Sequence, residues 1–234
     1  MLIRALQDLS RDPVAALVSL GVFVFALLIA FSVHECCHAL VATYLGDRTP
    51  RSQGRLTLNP LAHLDPMGTA MMLIVGFGWA KPVQVNPKAM SIRPRAGVAL
   101  VSIAGPLSNF ALAGLLAIPY RTGAIESVFG GFSLFNSRFD SLPGFVVGTI
   151  IFVNLLLAAF NLLPIAPLDG FKVALGLLPR DLASGFARLE PFGPAVLLMM
   201  IAIDWVVPGA NIIGRLIRPL VNLMSTVILG GSLW

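Results

Sequence analysis

The chain has 234 residues, of which 57% are hydrophobic and only 12% are charged, and its mean hydropathy is +0.88. Soluble domains carry about 25% charged residues, so this composition excludes a soluble globular enzyme, a disordered chain and a collagen-like chain. The net charge of +5 does not indicate nucleic-acid binding, because the basic residues lie in short loops between apolar runs. We expect an all-α polytopic membrane protein with a single membrane-embedded domain over residues 1–234.

The apolar runs predict about five or six membrane segments. The first follows Asp12-Pro13, a helix N-cap and a proline at the first helical position, and covers residues 14–45. Later runs cover residues 67–79, 98–118, 145–163, 195–207 and 212–229. About 20 apolar residues cross the hydrocarbon core. Residues 67–79 are too few and predict a re-entrant element, whereas residues 212–229 either span the membrane or lie in its interface.

Two short stretches alternate between apolar and polar residues as β-strands do. Residues 55–59 lie between Gly54 and Pro60, and residues 82–86 lie between Lys81 and Pro87. Period-2 alternation bounded by turn residues is typical of short strands, and an extended loop is the alternative. We expect a small β-hairpin beside the re-entrant element on the cytoplasmic side.

The charges of the loops predict the orientation. Residues 46–65 and 81–96 contain two acidic residues and seven basic ones, and the basic ones are Arg48, Arg51, Arg55, Lys81, Lys88, Arg93 and Arg95. Residues 120–142 contain only Arg121 and Arg138 as basic residues. Lys and Arg accumulate in cytoplasmic loops. We therefore expect a multi-pass protein of the cell membrane with its N-terminus outside and residues 46–96 and 164–192 facing the cytoplasm.

The strongest motif is His34-Glu35-Cys36-Cys37-His38, an H-E-x-x-H pattern late in the first apolar run. Residues i and i+4 share one face of a helix, so His34 and His38 can bind one Zn²⁺ and Glu35 can act as general base. A polar helix face packed inside a bundle is the alternative, but ionisable groups in an apolar run are costly without a function. Counted back from Gly46, the imidazoles lie roughly 12 and 18 Å below the helix end, within the bilayer.

A catalytic zinc ion usually has three protein ligands and one open position. His63 and Asp204 are candidates for the third ligand, but Asp169 is favoured. Asp169 follows Pro164 and Pro167, and irregular backbone at membrane depth is tolerated where it lines a site. The predicted orientation brings Asp169 to the side of the two histidines and carries Asp204 to the opposite side. A carboxylate that merely begins the next helix is the alternative.

The H-E-x-x-H motif, combined with Asn161 and Asp169-Gly170 after a later apolar run, resembles the site-2 protease family of intramembrane zinc metalloproteases. Residues 54–60, 76–83 and 104–109 resemble the compact prokaryotic branch, and no PDZ-like or cystathionine-synthase-like module is present. The resemblance covers about residues 30–175. It implies that His34, His38 and Asp169 bind one zinc ion per chain. It also implies that Glu35 is the general base and that Asn161 binds the substrate backbone or the oxyanion.

We expect a zinc endopeptidase that hydrolyses peptide bonds in or near transmembrane segments, as in regulated intramembrane proteolysis. A membrane metal transporter or another metal-binding membrane protein is the alternative, but it does not explain the position of Glu35. The expected partners are transmembrane segments of substrate proteins and the lipid bilayer, without nucleic acid. Formation of an oligomer stays open.

A substrate helix must unwind before its peptide bonds can be reached, and its freed N–H and C=O groups then need partners. We expect the substrate to add as a strand to one of the two alternating stretches, residues 55–59 or 82–86, and the candidate residues are Val83, Gln84 and Val85. Asn109 and Asn154 lie in the middle of apolar runs. Asn154 and Asn161 share a helix face, so contact with substrate is one interpretation of these amides, and hydrogen bonding between helices is the other.

Overall fold

The computed structural model describes residues 12–75, 78–125, 141–231 and 233. Within these ranges the regular structure is helical, which confirms the all-α prediction. The α-helices are α1 (Pro13–Tyr44), α2 (Thr49–Ser52), α3 (Pro66–Val75), α4 (Pro94–Arg121), α5 (Leu142–Asn161), α6 (Asp169–Leu177), α7 (Arg180–Ala187), α8 (Gly193–Val206) and α9 (Ile212–Leu229). Short 3₁₀ turns cover Pro60–Ala62, Pro87–Ala89 and Glu190–Phe192.

In the part of the chain that the structure describes, five helical stretches are long and apolar enough to cross a membrane, judged by length and composition. They are α1, α4, α5, the run Arg180–Val206 that contains α7 and α8, and α9. The predicted multi-pass arrangement is therefore confirmed. Helix α3 has ten residues and rises about 15 Å, so it is too short to cross. Gly76 and Phe77, which belong to the predicted re-entrant element, and residues 126–140, which belong to the predicted outer loop, lie outside the described residues.

Helix α4 lies at the centre of the bundle and packs against α1, α5 and α6. Helix α1 begins where Asp12 Oδ1 accepts a hydrogen bond from the Ala15 N–H at 3.0 Å. Its buried face carries small residues, among them Ala26 and Ala30, which are fully buried. Small side chains let neighbouring helices approach closely. The approach of α1, α4 and α6 encloses the space into which His34 and His38 point.

Helix α9 packs against α4 and α5 through a buried stripe that includes Ile217, Val221 and Ile228. Its first turn is capped by Asp204, whose Oδ1 and Oδ2 accept the N–H groups of Ile212 at 2.5 Å and Ile213 at 2.9 Å. A carboxylate at a helix N-terminus satisfies unpaired N–H groups and is stabilised by the helix dipole. Asp204, the other acidic candidate for the third ligand, therefore caps a helix.

The predicted β-hairpin is wrong. Residues 55–59 and 82–86 form no strand, and the β-bridge found among the described residues joins Leu64 to Ala80 in antiparallel fashion. The side chains of Asn59 and Asn86 accept the N–H groups of Leu61 and Lys88, which turns the chain into the two 3₁₀ turns that follow. Each alternating stretch is thus ended by an asparagine cap before a ladder can form.

Two carboxylates, and not a neighbouring strand, accept the hydrogen bonds that hold residues 82–86 in place. The Val83 N–H donates to Glu35 Oε2 at 3.2 Å, and the Asn86 N–H donates to Asp47 Oδ2 at 2.6 Å. Both carboxylates belong to α1 or to the turn just after it. Hydrogen bonds to side chains thus replace the ladder hydrogen bonds of a hairpin. Residues 82–86 therefore form an extended segment that crosses α1, and this segment is called the strap below.

Two buried side chains hold the loop that precedes this strap. Arg55 Nη1 donates to the carbonyls of Ala62 at 2.6 Å and Lys81 at 3.2 Å, and His63 Nε2 lies 2.8 Å from the Thr57 carbonyl. The Lys81 N–H donates to the His63 carbonyl at 2.8 Å. His63, the other candidate for the third ligand, is therefore held within the loop.

Candidate active site

The structure brings the three predicted ligands together. His34 and His38 are buried on consecutive turns of α1, and their rings lie 4.6 Å apart at an interplanar angle of 89°. The Nε2 atoms of both rings lie 3.1 Å from the same Asp169 oxygen, Oδ2. Two imidazole nitrogens and one carboxylate oxygen therefore converge on one small volume between α1 and α6.

Asp169 reaches this position because α6 begins immediately after the loop that follows α5. A Cβ on Gly170 would lie 2.2 Å from the carbonyl oxygen of Leu162. Only glycine can therefore bring the start of α6 so close to the end of α5. The Asp169-Gly170 pair thus combines a ligand with the residue whose missing side chain allows its placement.

Helix α4 contacts both imidazoles at their Nδ1 atoms. His34 Nδ1 lies 2.6 Å from Asn109 Oδ1, and His38 Nδ1 lies 2.7 Å from the Val101 carbonyl oxygen. These contacts involve the ring nitrogens that face away from Asp169. The Nε2 atoms are thereby left pointing at the carboxylate, as a metal site requires.

Gly105 also belongs to the site, although the sequence motifs did not predict a role for it. A Cβ at this position would lie 2.5 Å from His38 Nε2 and 2.6 Å from His34 Cε1. Real Cβ atoms do not approach other atoms so closely, so any side chain here would displace the imidazoles. The signal was present in Ala104-Gly105-Pro106, because a glycine inside an apolar helix often marks a close approach.

Glu35 is buried beside the two histidines. Suitable atoms of His34, Glu35 and His38 all lie within 4.8 Å of one another. Since Glu35 Oε2 accepts the Val83 N–H, one carboxylate oxygen has a fixed partner. The arrangement puts a proton-accepting group next to the ligand cluster and ties it to the strap.

The strap contributes main chain to the site at Val83. Gln84 Oε1 accepts a hydrogen bond from Gln53 Nε2 at 2.8 Å, and Val85 packs against a cluster formed by Ala42, Met90 and Val101. Among the described residues, no hydrogen-bond partner is found for the N–H groups of Gln84 and Val85. The backbone of Gln84 is therefore available to an added chain.

Asp47 fixes the far end of the strap. Its Oδ1 accepts the Thr49 N–H at 2.9 Å, and its Oδ2 accepts the Asn86 N–H. Burial acts to raise the pKa of Asp47, but the hydrogen bonds from Thr49 and Asn86 outweigh it and hold the pKa below its ordinary value. Asp47 is therefore a charged anchor at ordinary pH.

Asn109 and Asn154 lie away from any surface. Both side chains are fully buried, and Asn109 Nδ2 donates to Asn154 Oδ1 at 2.7 Å. This contact is a hydrogen bond between helices, which was the alternative to substrate contact for these two amides. Asn161 lies at the end of α5 and donates to the Leu157 carbonyl at 3.0 Å, and its contact with substrate stays a prediction.

The donor set fits a catalytic zinc ion. Zinc in such sites takes three protein ligands, typically histidine nitrogens and a carboxylate, and leaves one position open. The hydrogen bonds at both Nδ1 atoms turn the Nε2 atoms towards Asp169. The missing side chain at Gly105 leaves room for an ion among the converging donors.

Comparison with known proteins agrees with this site. Residues 22–201 match the model of Peptidase family M50. This match covers most of the chain, including all three candidate ligands, so the protein belongs to peptidase family M50, the site-2 proteases. The predicted family resemblance is confirmed.

Individual relatives carry related names. The chain is 41% identical over 181 residues to "Putative zinc metalloprotease YwhC" of Bacillus subtilis, covering 76% of this chain and 78% of the relative. It is 31% identical over 208 residues to "Putative zinc metalloprotease Rip2" of Mycobacterium tuberculosis, covering 84% and 73%. No solved structure gives a significant match. The protein is an intramembrane zinc metalloprotease, and these findings do not favour the metal-transporter alternative.

Proposed function

We propose that His34, His38 and Asp169 bind one zinc ion per chain and that the bound ion is catalytic. The observation that carries this proposal is the common distance of 3.1 Å from Asp169 Oδ2 to both Nε2 atoms. A bound zinc ion supplies a Lewis acid that polarises the scissile carbonyl and lowers the pKa of water. The remaining steps depend on residues of this chain.

Glu35 is proposed as general base and then general acid. Its carboxylate lies beside both imidazoles and would accept a proton from the attacking water. It would then donate that proton to the leaving amine when the peptide bond breaks. Since only Oε2 is bonded to Val83, Oε1 is left for this transfer. The hydrogen bond from Val83 keeps the carboxylate oriented towards the site.

The proposed substrate is a transmembrane segment that has unwound near its cytoplasmic end. Such a segment exposes N–H and C=O groups that need partners inside the membrane. The Gln84 backbone can provide a donor and an acceptor, because no hydrogen-bond partner is found for its N–H among the described residues. We propose that the substrate pairs with Gln84 as an added strand and that Asn161 contacts its backbone or the oxyanion.

The proposed orientation places the N-terminus outside the cell and the strap on the cytoplasmic side. The excess of basic residues in residues 46–65 and 81–96 supports it. Asp47 and Arg55, which hold the strap and its neighbouring loop, would then lie at the cytoplasmic mouth of the site. Substrates would accordingly be cut near the cytoplasmic leaflet of the cell membrane.

Zinc content and cleavage, measured on the same purified preparations, test these roles. The full chain is reconstituted in liposomes with a membrane-segment substrate, and zinc per chain is counted by mass spectrometry. His34→Ala, His38→Ala and Asp169→Ala should lose zinc and activity, whereas Glu35→Gln should keep zinc and lose turnover. His63→Ala and Asp204→Ala serve as controls because both rival candidates have other contacts, and both should retain zinc. Loss of zinc in either control with retention in Asp169→Ala would refute the proposed ligand set.

A further inference from the structure

We propose that Asn154 and Asn109 form a relay of two amides that sets the tautomer and orientation of His34. Zinc affinity would then depend on Asn154, a side chain of α5 whose hydrogen bonds go to Asn109 and the Ile150 carbonyl and to none of the three ligands. Asn109 would be a positioning residue for His34, and Asn154 would position Asn109. This inference rests on the proposed role of His34 as a ligand.

The direction of the relay follows from two backbone carbonyls. Asn154 Nδ2 lies 2.8 Å from the Ile150 carbonyl oxygen, and Asn109 Nδ2 lies 3.0 Å from the Ala30 carbonyl oxygen. A carbonyl only accepts hydrogen bonds, so in each amide the nitrogen must face the carbonyl. Neither amide can be turned over without setting two acceptors against each other.

The amide orientations in turn determine the protonation of His34. With Asn109 Nδ2 turned to the Ala30 carbonyl and to Asn154 Oδ1, Asn109 Oδ1 faces His34 Nδ1 at 2.6 Å. That oxygen is an acceptor, so His34 Nδ1 must carry the proton. The lone pair of the neutral ring is then on Nε2, the atom that faces Asp169.

Burial explains why this relay would hold its geometry. The side chains of Asn109 and Asn154 have no solvent exposure, and the residues on either side of Asn154 in α5, Val153 and Leu155, are also buried. A polar group buried among apolar side chains is destabilising without its hydrogen bonds. Both amides are bonded through oxygen and nitrogen alike, so the arrangement resists rotation of either.

His38 is supported differently. Its Nδ1 contacts the Val101 backbone carbonyl at 2.7 Å, which no side-chain substitution removes. The two imidazoles therefore differ at Nδ1, since only the Nδ1 of His34 depends on a side chain of another helix. Substitutions in the relay should affect His34 and leave His38 unchanged, and this difference makes the proposal testable.

Zinc affinity of the purified full chain, measured by competition with a chelator, tests the relay. Asn109→Leu should weaken zinc binding about 10- to 100-fold, the range found when a partner of a metal ligand is removed. Asn154→Leu should weaken it less, and the double variant should be no weaker than Asn109→Leu, because Asn154 acts through Asn109. Asn154→Asp should bind zinc within a few-fold of wild type, because a buried carboxyl stays protonated and can both accept from Asn109 and donate to the Ile150 carbonyl.

Thr149→Val is the matched control. Thr149 is also fully buried on α5, but its hydroxyl bonds only to the Phe145 carbonyl of its own helix. The relay is refuted if Asn109→Leu binds zinc as tightly as Thr149→Val. It is also refuted if the effects of the two leucine substitutions multiply, since the amides would then act independently.

Nitrogen NMR of ¹⁵N-histidine-labelled protein gives a readout of the tautomer that is separate from zinc affinity. The chain has three histidines, so His34 can be assigned by single substitutions. Wild-type protein loaded with zinc should show a protonated Nδ1 on His34, and a proton on Nε2 would overturn the relay. If the relay alone fails, His34→Ala still loses zinc, whereas if the proposed ligand set fails, His34→Ala retains it.

Discussion

The Val83 N–H donates to Glu35 Oε2 at 3.2 Å, although the two residues are 48 positions apart. This contact joins the proposed proton-transfer group to the strap of residues 82–86. It also means that the Val83 N–H already has a partner in the protein. A substrate strand must therefore use another part of the strap, and a proline at Val83 would disturb Glu35 and strand addition together.

Gln84→Pro separates these effects. It removes the backbone N–H of Gln84 and leaves the Val83 contact to Glu35 in place. We expect cleavage of a membrane-segment substrate to fall about tenfold, as for a lost hydrogen bond of about 1.4 kcal/mol, with zinc content unchanged. Gln84→Ala is the control because it removes only the side-chain contact to Gln53. Equal cleavage rates for the two variants would rule out strand addition at Gln84, and Val85→Pro would then test the next position.

Gly105→Ala should weaken the metal site. The added Cβ would stand 2.5 Å from His38 Nε2, and both imidazoles are already held through Nδ1, so they cannot move without losing a hydrogen bond. We expect zinc affinity to fall at least about tenfold. Gly114→Ala on the same helix is the control, because its Cβ would meet Ile228 at an ordinary 3.6 Å. Zinc binding equal in both variants would contradict the close packing at Gly105.

Asp47→Asn should loosen the strap. An asparagine can still accept the Thr49 N–H but presents an NH₂ group to the Asn86 N–H, so one hydrogen bond to a charged group, worth about 1.5–3 kcal/mol, is lost. Hydrogen exchange at the Asn86 amide should become faster at neutral pH. Asp181→Asn, at an exposed position of α7, should leave that exchange rate unchanged.

The same anchor predicts a response to acid. Because the folded pKa of Asp47 is lowered, its stabilising contribution is fully present above the unfolded value of about 3.9. It is lost as the pH falls through the lower folded pKa. After correction for intrinsic exchange rates, protection at Asn86 should therefore stay constant between pH 7 and 5 and decrease only in stronger acid. A decrease that begins near neutral pH would show that another group controls the strap.

Asp204→Ala should destabilise the protein without affecting zinc. It removes both acceptors at the start of α9, and loss of a helix cap costs about 1–2 kcal/mol. Thermal unfolding in detergent should shift to lower temperature, with Asp204→Asn intermediate because one acceptor remains. An unchanged unfolding temperature would mean that the cap contributes little to the stability of α9.

Cysteine labelling in sealed vesicles tests the proposed orientation. In a background of Cys36→Ala and Cys37→Ala, Arg93→Cys and Thr122→Cys place one thiol at an exposed position near each end of α4. An impermeant reagent added outside right-side-out vesicles should label position 122 and leave position 93 unlabelled. Labelling of position 93 from outside would reverse the orientation and place the site near the outer leaflet.

The sequence by itself determined the helical membrane class and the H-E-x-x-H pair. Helical periodicity alone places His34 and His38 on one face, because residues four apart stack on consecutive turns. The choice of Asp169, 131 positions from His38, also followed from the sequence, through loop charges and the helix-breaking prolines. These conclusions depend on helical periodicity or on the demands of the membrane as solvent, and both can be read directly from the order of residues.

Only the tertiary structure decided the contacts between distant segments. Asn109 meets His34 across 75 positions, and the need for glycine at 105 arises where α4 crosses the imidazoles. The strap is not a strand because the Val83 and Asn86 N–H groups donate to Glu35 and Asp47 and not to a neighbouring strand. Each outcome depends on which helix faces lie together, and packing of whole helices sets those distances. A pattern within one segment contains no information about the partner that its polar groups will meet.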